Sequence, residues 1–241
     1  MRKWIVAVLA IIAGCGAPSD DKTAEELLSL SIAGLSGIDH YTFSGVTGIA
    51  IADGSMPKPT TFEGTVEEHH RIQMKRGREP GTAPMGSPYE LLEQIQAGAS
   101  SVVVVPSKSG SRTAVLRVEM DRTAALREWR ERLRSDFDKV IHGTGTGMSA
   151  EGKAARMMQA NKGAVLEREW QREINRSRRK LEEMLRTLDV QTAYTLVIDR
   201  KRMVPLRLQE QTVLHYEAGG EGHQESRETD ITLRMLPDGK R

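Results

Sequence analysis

The spacing of apolar residues changes along the chain and divides it into helical and extended stretches. Between Thr23 and Gly37, apolar side chains recur every three or four residues, which is the period of an amphipathic helix. Thr23 and Glu26 have the spacing of a capping box and predict the start of this helix, which is expected to end at Gly34 or Gly37. From Tyr41 onward the period becomes two, which is typical of half-buried strands.

The first extended region predicts a long antiparallel pair of strands. Apolar and polar residues alternate from Tyr41 to Ile51 and again from Phe62 to Met74. Asp53-Gly54 and Pro57 mark the turn between these strands. One face of the pair is therefore expected to be apolar and the other to face water.

The middle of the chain predicts a loop, a short helix and two strands. Residues 77–88 are rich in Gly and Pro, which favours a loop. A helix is expected from Pro88 to Ala97. Val102–Val105 is expected to form a buried strand or to continue the packing of that helix. A half-buried strand follows at Ala114–Met120 and ends at Asp121.

Two longer amphipathic helices are expected next. Apolar residues at spacings of three and four form one stripe from Leu126 to Val140. After a break at Gly143–Gly147, a narrower stripe runs from Leu166 to Leu188 and is interrupted at Ser177. Arginines and glutamates cover the rest of the helix over residues 165–186, which predicts a long, mostly solvated helix with i,i+4 pairs. Contact of its arginines with lipid headgroups or an acidic partner is the alternative.

The C-terminal third returns to a period of two. The expected strands are Tyr194–Ile198, Val204–Tyr216 and Ile231–Met235. Turns are expected at Asp199–Arg202 and Gly219–Gly222, and the short connections predict an antiparallel meander. Since no repeat or linker divides residues 23–241, we predict a single α+β domain.

The N-terminus has the composition of an export signal. Arg2 and Lys3 precede an apolar run from Trp4 to Ile12. This run is shorter than the roughly 20 residues that a membrane-spanning helix needs, which disfavours an N-terminal transmembrane helix. The run ends at Ile12-Ala13-Gly14-Cys15, whose last residue is the only cysteine in the chain. This order resembles the lipobox of bacterial lipoproteins.

The lipobox resemblance implies a lipid anchor. Residues 1–14 would be a signal peptide that is cut between Gly14 and Cys15, and the thiol of Cys15 would carry a diacylglyceryl group with fatty acyl chains such as palmitate. Residues 15–22 are small and polar and would form a flexible tether. The chain would then lie on the outer face of the cell membrane, or on the outer membrane or periplasmic side in a host with two membranes. A secretory signal cleaved without lipid is the alternative.

Removal of the signal also changes the charge of the chain. The sequence has 35 Lys and Arg against 33 Asp and Glu. Because Arg2 and Lys3 lie in the signal, the mature chain has 33 residues of each sign. Its formal charge of zero gives no indication of a nucleic-acid partner. With Cys15 acylated, no thiol remains for a disulfide, a zinc site or a nucleophile.

No motif predicts catalysis, a metal or a cofactor. Gly147–Ala154 is one residue away from a phosphate-binding P-loop, but Ala154 replaces the hydroxyl that binds magnesium, and a helix rather than a strand precedes it. A glycine-rich hinge is the preferred interpretation. The histidines show no i,i+4 pair, and no serine has the context of an esterase nucleophile. These histidines are His40, His69, His70, His142, His215 and His223.

The order of elements over residues 23–236 resembles the LolA/LppX-type lipoprotein fold. The resemblance includes the strand-turn-strand phrase from Tyr194 to Leu208, with Ile-Asp before the turn and Pro after it. It implies a curved antiparallel sheet, or half-open barrel, with helices covering the concave face. It also implies a hydrophobic cavity for acyl chains. The sequence departs from the family in its aromatic content of 4% and in the charged helix at 165–186.

Two non-enzymatic functions fit these observations. The first is a lipid-binding or lipoprotein-handling module, and the second is a structural or regulatory envelope lipoprotein that binds a protein partner through its charged helix. An apolar void of a few hundred Å³ would favour the first, and a packed interior would favour the second. For the first function, the expected cavity-lining residues are Trp129, Leu133, Phe137, Leu206, Leu208 and Leu214.

Overall fold

A computed structural model describes residues 22–51, 58–68, 71–76, 87–146 and 160–235. Its helices are α1 (Ala24–Ser36), α2 (Pro88–Gly98), α3 (Arg122–Thr146) and α4 (Ala160–Thr187), with one turn of 3-10 helix at Pro106–Lys108. Its strands are β1 (His40–Ile51), β2 (Thr60–Glu67), β3 (Arg71–Arg76), β4 (Ala99–Val104), β5 (Thr113–Met120), β6 (Asp189–Asp199), β7 (Val204–Ala218) and β8 (Glu221–Met235). The predicted signal peptide, Cys15, residues 77–86 of the predicted loop and the near-P-loop at Gly147–Ala154 lie outside the described residues.

All eight strands belong to one antiparallel sheet that does not close into a barrel. Its strand order is β3-β2-β1-β8-β7-β6-β5-β4, so that β3 and β4 form its two edges. The first and last strands of the chain pair in the interior of the sheet, from Tyr41 opposite Met235 to Ile51 opposite Glu225. Strands β6, β7 and β8 follow one another and confirm the predicted meander, although β6 and β8 begin earlier than expected.

Helices α1 and α2 cover one end of the inner face of the sheet. Their buried side chains form a first cluster with the inward side chains of β1, β2 and β5 to β8. Its helical members are Leu27, Leu28, Ile32 and Leu35 of α1 and Leu91, Leu92 and Ile95 of α2. Each helix begins with a capping box, Thr23 with Glu26 and Ser87 with Glu90, of which the first was predicted.

The sheet curves around α1 and α2. Eight flat strands would span about 34 Å at roughly 4.8 Å per spacing, whereas two adjacent helices cover about 20 to 24 Å. The first cluster nevertheless contacts Ile72 of the edge strand β3 and Val102 of the opposite edge strand β4. The predicted α+β fold, an unclosed curved antiparallel sheet with helices over its concave face, is therefore confirmed.

Helices α3 and α4 lie on the same inner face at the other end of the long strands. A second cluster joins these helices to β6 and β7, and it consists of Ala125, Trp129, Leu185, Leu188, Val190 and Leu214. On β6, Val190 of the second cluster and Leu196 of the first cluster are an even number of residues apart, so their side chains point to the same face. The same holds on β7 for Leu214 and Leu208. Both clusters therefore lie on one side of the sheet. The concave face is therefore filled by side chains at both ends.

Residues 62–74 form two strands rather than the single strand that their alternation predicts. β2 ends at Glu67, and β3 returns beside it with Val66 opposite Ile72. Glu68 starts the turn with a φ of 51°, a conformation that residues other than glycine rarely adopt. The turn contains neither Gly nor Pro, and even-numbered residues face the core on both sides of it. The alternation of apolar and polar residues therefore continues across the turn, and the sequence pattern does not reveal where the turn lies.

Two further predictions about element boundaries are wrong. The run Val102–Val105 is not a buried strand, because β4 lies at a sheet edge and Val103 is 48% exposed. The break expected from Gly143 is absent, since α3 continues through Thr146. A glycine inside a helix costs only about 1 kcal/mol relative to alanine, which a long helix tolerates.

Candidate functional site

Three of the side chains predicted to line a cavity meet where α3 lies on the sheet. Trp129 of α3 and Leu214 of β7 belong to the second cluster, and Leu133 packs against it. Trp129 is only 6% exposed. These contacts attach the first turns of α3 to the inner face of the sheet.

The other three predicted side chains lie elsewhere. Leu208 belongs to the first cluster, near α1. Leu206 is half-buried beside an irregularity in the register between β6 and β7. Phe137 is half-buried further along α3, where the guanidinium of Arg178 lies 5.9 Å from the centre of its ring. The structure thus distributes the six residues over four places.

Two arginines contact the ring of Trp129. The guanidinium of Arg132, one turn further along α3, lies 5.0 Å from the ring centroid. The guanidinium of Arg227, on β8, lies 5.4 Å from the same centroid. Such cation–π contacts are each worth about 0.5 to 1 kcal/mol at exposed sites and about 2 kcal/mol or more when desolvated. Trp129 therefore links α3 to β8 as well as to the second cluster.

A buried polar layer lies on the same inner face of the sheet, between the two clusters. It consists of Thr192, Glu210, Thr212 and Thr229, and Glu210 is 4% exposed. Thr212 donates a hydrogen bond of 3.0 Å to Oε1 of Glu210, and the hydroxyls of Thr192 and Thr212 are 3.0 Å apart. Within the described residues, Oε2 of Glu210 and Nη1 of Arg132 are buried without a hydrogen-bond partner.

Charged groups in and beside this layer influence the pKa values of Arg227 and Tyr194. Burial lowers the pKa of Arg227, the carboxylate of Glu210 partly offsets that effect, and Arg132 adds to it. Burial also raises the pKa of Tyr194, with Glu210 and Glu128 acting in the same direction. Removing one of these charges would therefore leave an opposite charge uncompensated in a buried setting.

Helices α3 and α4 continue as a hairpin beyond the region where Trp129 packs against the sheet. They have 25 and 28 residues, which correspond to lengths of about 38 and 42 Å at 1.5 Å per residue. We call residues 134–146 of α3 and 160–182 of α4 the arm. From residue 167 to 173, every side chain of α4 is exposed, including Trp170 at 44%. No helix in the described parts of the chain is both long enough and apolar enough to cross a membrane.

Charged contacts hold the two helices of the arm together. Arg134 donates two hydrogen bonds to the carboxylate of Glu182, at 2.9 and 2.8 Å. This pairing raises the pKa of Arg134 and lowers the pKa of Glu182. Arg178 lies 3.8 Å from Asp138. These ion pairs lie at the surface of the arm, beside the buried Ile174 and the half-buried Phe137, so charged and apolar contacts together join the two helices.

One side of α4 presents arginines to the solvent. A groove of about 890 Å³ runs along this side, which we call the arginine face. Its lining residues are Arg172, Asn175, Arg178, Arg179, Glu182, Glu183 and Arg186. The spacing of seven residues between Arg172, Arg179 and Arg186 places their side chains in one line, about 10.5 Å apart.

The glutamates of α4 leave part of this positive charge unpaired. Glu182 is engaged by Arg134 of α3, and Glu173 is 4.0 Å from Arg176. In the described part of the chain, neither Arg172 nor Arg179 makes a side-chain hydrogen bond or ion pair. The predicted i,i+4 pairing between arginines and glutamates of this helix therefore does not neutralise the arginine face.

The sequence analysis missed the polar layer, although the sequence contains a signal for it. Glu210 and Thr212 stand at inward positions of β7, between Leu208 and Leu214 of the same parity. Arg227 likewise stands at an inward position of β8. Charged residues at positions where the alternation requires apolar ones indicate a specific pairing, because an unpaired buried charge is costly.

The described residues contain no group of three or more His, Cys, Asp or Glu side chains that could hold a metal ion. No protein family model matches the sequence, and no curated protein matches it.

Proposed function

We propose that this chain is a lipid-anchored extracytoplasmic protein that binds an acidic envelope protein through the arginine face of α4. The observation that carries the proposal is the line of Arg172, Arg179 and Arg186 on an exposed helix that leaves the sheet. Arginine suits such a role because its planar guanidinium can donate two parallel hydrogen bonds to one carboxylate. Among the described residues, two packed clusters cover both ends of the concave face, and the cavity between α1 and α2 has two carboxylates in its lining, which disfavours an acyl chain.

A protein suits the arginine face better than a lipid surface does. Glu182 and Glu183 line the same groove, and Glu167, Glu169 and Glu173 are exposed nearby. These carboxylates would repel the anionic headgroups of a membrane. A protein partner can instead place its acidic groups opposite the arginines and its basic groups opposite the glutamates.

The proposed anchor would keep the domain close to the membrane. Residues 15–22 would form a tether of eight residues, which spans at most about 29 Å when fully extended. The domain would then present the arm to proteins of the same membrane or of the space above it. The support for this anchor is the order Ile12-Ala13-Gly14-Cys15 in the sequence.

Photo-crosslinking in host membranes tests the proposal. A photoreactive residue at Asn175 in the groove should form an adduct with a protein, and the same residue at Ser101 on β4 should not form that adduct. Reversing two charges, with Arg172→Glu and Arg179→Glu together, should reduce the adduct by about tenfold or more. The matched control is Lys108→Glu with Arg112→Glu, which changes the net charge equally on exposed residues away from α4.

The identity of the adduct decides between the outcomes. The pairing would be established if acidic residues of the captured protein lie at the crosslink and if changing them to arginine restores binding to the charge-reversed variant. Adducts with phospholipid, or protein adducts that are insensitive to the charge reversal, would reject the proposal.

A further inference from the structure

A cavity of about 340 Å³ lies between the end of α1 and the start of α2. Its walls are Leu35 and Ser36 of α1, Ile38, Tyr41 of β1, and Ser87, Tyr89, Glu90 and Glu93 at the start of α2. Its volume is within the range of small-molecule sites in proteins, about 300 to 1,000 Å³. It lies at the opposite end of the sheet from the arm.

The lining of this cavity is negative. Glu90 and Glu93 contribute carboxylates, and the described residues place no lysine, arginine or histidine in the lining. The C-terminal end of α1 also contributes, since the last carbonyls of a helix carry a partial negative charge and the last turn of α1 has no basic residue. Each of these groups favours a cation.

The N-terminal end of α2 carries a partial positive charge, which its capping box already compensates. The carboxylate of Glu90 accepts a hydrogen bond of 3.0 Å from the backbone N–H of Ser87, and the hydroxyl of Ser87 accepts one of 3.1 Å from the N–H of Glu90. This capping box satisfies N–H groups that would otherwise attract an anion. The helix start therefore does not reverse the sign of the cavity.

The remaining walls suit a hydrocarbon group. Leu35 and Ile38 are aliphatic, and Tyr41 and Tyr89 are aromatic. The hydroxyl of Tyr89 donates a hydrogen bond of 2.6 Å to Glu93, which fixes that carboxylate beside the ring. Tyr41 is 1% exposed, and the backbone N–H of Tyr89 faces its hydroxyl. The aromatic faces of these tyrosines attract cations.

We infer that this cavity binds an aliphatic ammonium ion, in which a protonated amine is carried on a short hydrocarbon stem. The ammonium lies beside Glu93 and the ring of Tyr89, and the stem packs against Leu35 and Ile38. Both a free amine and the side chain of a lysine in a peptide have this chemistry. The inference does not depend on the arginine face, because the cavity lies on other elements.

Calorimetry on the purified full chain tests the inference with three probes of equal stem length. Hexylammonium should bind about tenfold or more tightly than hexanol, and hexanoate should not bind, because only the first probe has the charge that the carboxylates attract. Glu93→Gln should weaken hexylammonium binding by about tenfold. Glu25→Gln, an exposed change at the start of α1, should leave the binding unchanged.

A second pair of variants leaves the carboxylates intact. Ser36→Lys places an ammonium group of the protein itself at the rim of the cavity, and it should abolish hexylammonium binding. Ser36→Gln has a similar size without the charge and should retain the binding. Hexanol binding as tight as hexylammonium, or equal binding by these two variants, would overturn the inference.

Competition by lysine identifies the source of the ammonium group. If lysine with acetylated and amidated ends displaces hexylammonium, the site accepts a peptide side chain. If it does not displace hexylammonium while that probe still binds in the predicted order, the site takes free amines. Both results support an ammonium site, whereas failure of all three probes to bind rejects it.

Discussion

The guanidinium of Arg227 lies over the ring of Trp129, 5.4 Å from its centroid, and connects β8 to α3. The two residues are 98 positions apart, and each belongs to a different layer of the fold. Because Arg132 contacts the same ring from within α3, the indole lies between a sheet residue and a helix residue. This arrangement attaches the arm to the sheet.

Trp129→Ala should lower the free energy of unfolding by about 3 to 5 kcal/mol, the usual cost of truncating a packed aromatic side chain. Trp170→Ala is the matched control, because Trp170 is exposed on α4, and it should change stability by less than about 0.5 kcal/mol. Chemical denaturation measures both values. A loss of only about 1 to 2 kcal/mol for Trp129→Ala, together with displacement of a fluorescent fatty acid from the wild-type protein, would instead indicate a lipid cavity.

Arg227→Ala should destabilise the protein by about 0.5 to 3 kcal/mol, because it removes the contact with the Trp129 ring and a positive charge that acts on the buried Glu210. Adding Glu210→Gln to this variant should recover part of the loss, since the opposing charge is then removed as well. A double-mutant cycle by denaturation measures the coupling. Strictly additive effects would show that the two charges do not interact.

Gly34→Ala should destabilise the protein, because a Cβ atom there would lie 1.9 Å from the backbone oxygen of Met203. Alanine normally gains up to about 1 kcal/mol over glycine in a helix, so a net loss of about 1 to 3 kcal/mol would report overpacking. The control is Gly37→Ala, whose nearest contact would be an ordinary 3.7 Å. Similar melting temperatures for Gly34→Ala and the wild-type protein would contradict this close approach of α1 to the turn before β7.

Alkaline pH should destabilise the protein partly through Tyr41. Burial, which outweighs the effects of its neighbours, raises the pKa of Tyr41 from 10.0 to about 12. The folded state therefore holds this proton more tightly than the unfolded state, and its contribution is complete below pH 10 and is lost as the pH rises toward 12. Unfolding free energies at pH 9 and 12 should differ less in Tyr41→Phe than in the wild-type protein. An unchanged pH dependence would show that Tyr41 is not responsible.

Cys15→Ala should release the mature chain from the membrane fraction or leave an uncleaved precursor, because the atom that would carry the lipid is removed. A diacylglyceryl anchor holds a protein stably, whereas a single acyl chain does so only marginally. Fractionation followed by mass determination of the N-terminus measures both consequences. Equal membrane binding by the variant and the wild-type chain would reject the lipid anchor.

The sequence predicted those elements whose signals are local. The capping box of Thr23 and Glu26 located the start of α1, and the alternation over residues 194–216 located β6 and β7. The turn after Glu67 was missed because it contains no Gly or Pro and preserves the parity of the apolar residues. The edge position of β4 was also missed, since the order of strands in a sheet is not a local property.

The candidate site was less predictable from the sequence than the fold. The charge pattern of α4 identified the helix, but the sequence could not show that Arg134 of α3 engages Glu182 and thereby leaves other arginines free. The contact between Trp129 and Arg227 depends on the tertiary packing of α3 against β8. Such pairs follow from the arrangement of elements and not from their individual sequences.

The pairing of β1 with β8 has a consequence for the order of folding. This ladder joins Tyr41 to Met235, so its formation must await the synthesis of β8. Contacts between residues far apart in sequence slow folding, because the intervening loop must be closed before they form. If the proposed export takes place, a slow closure of this ladder would favour threading of the still unfolded chain. The ladder would then assemble only on the far side of the membrane.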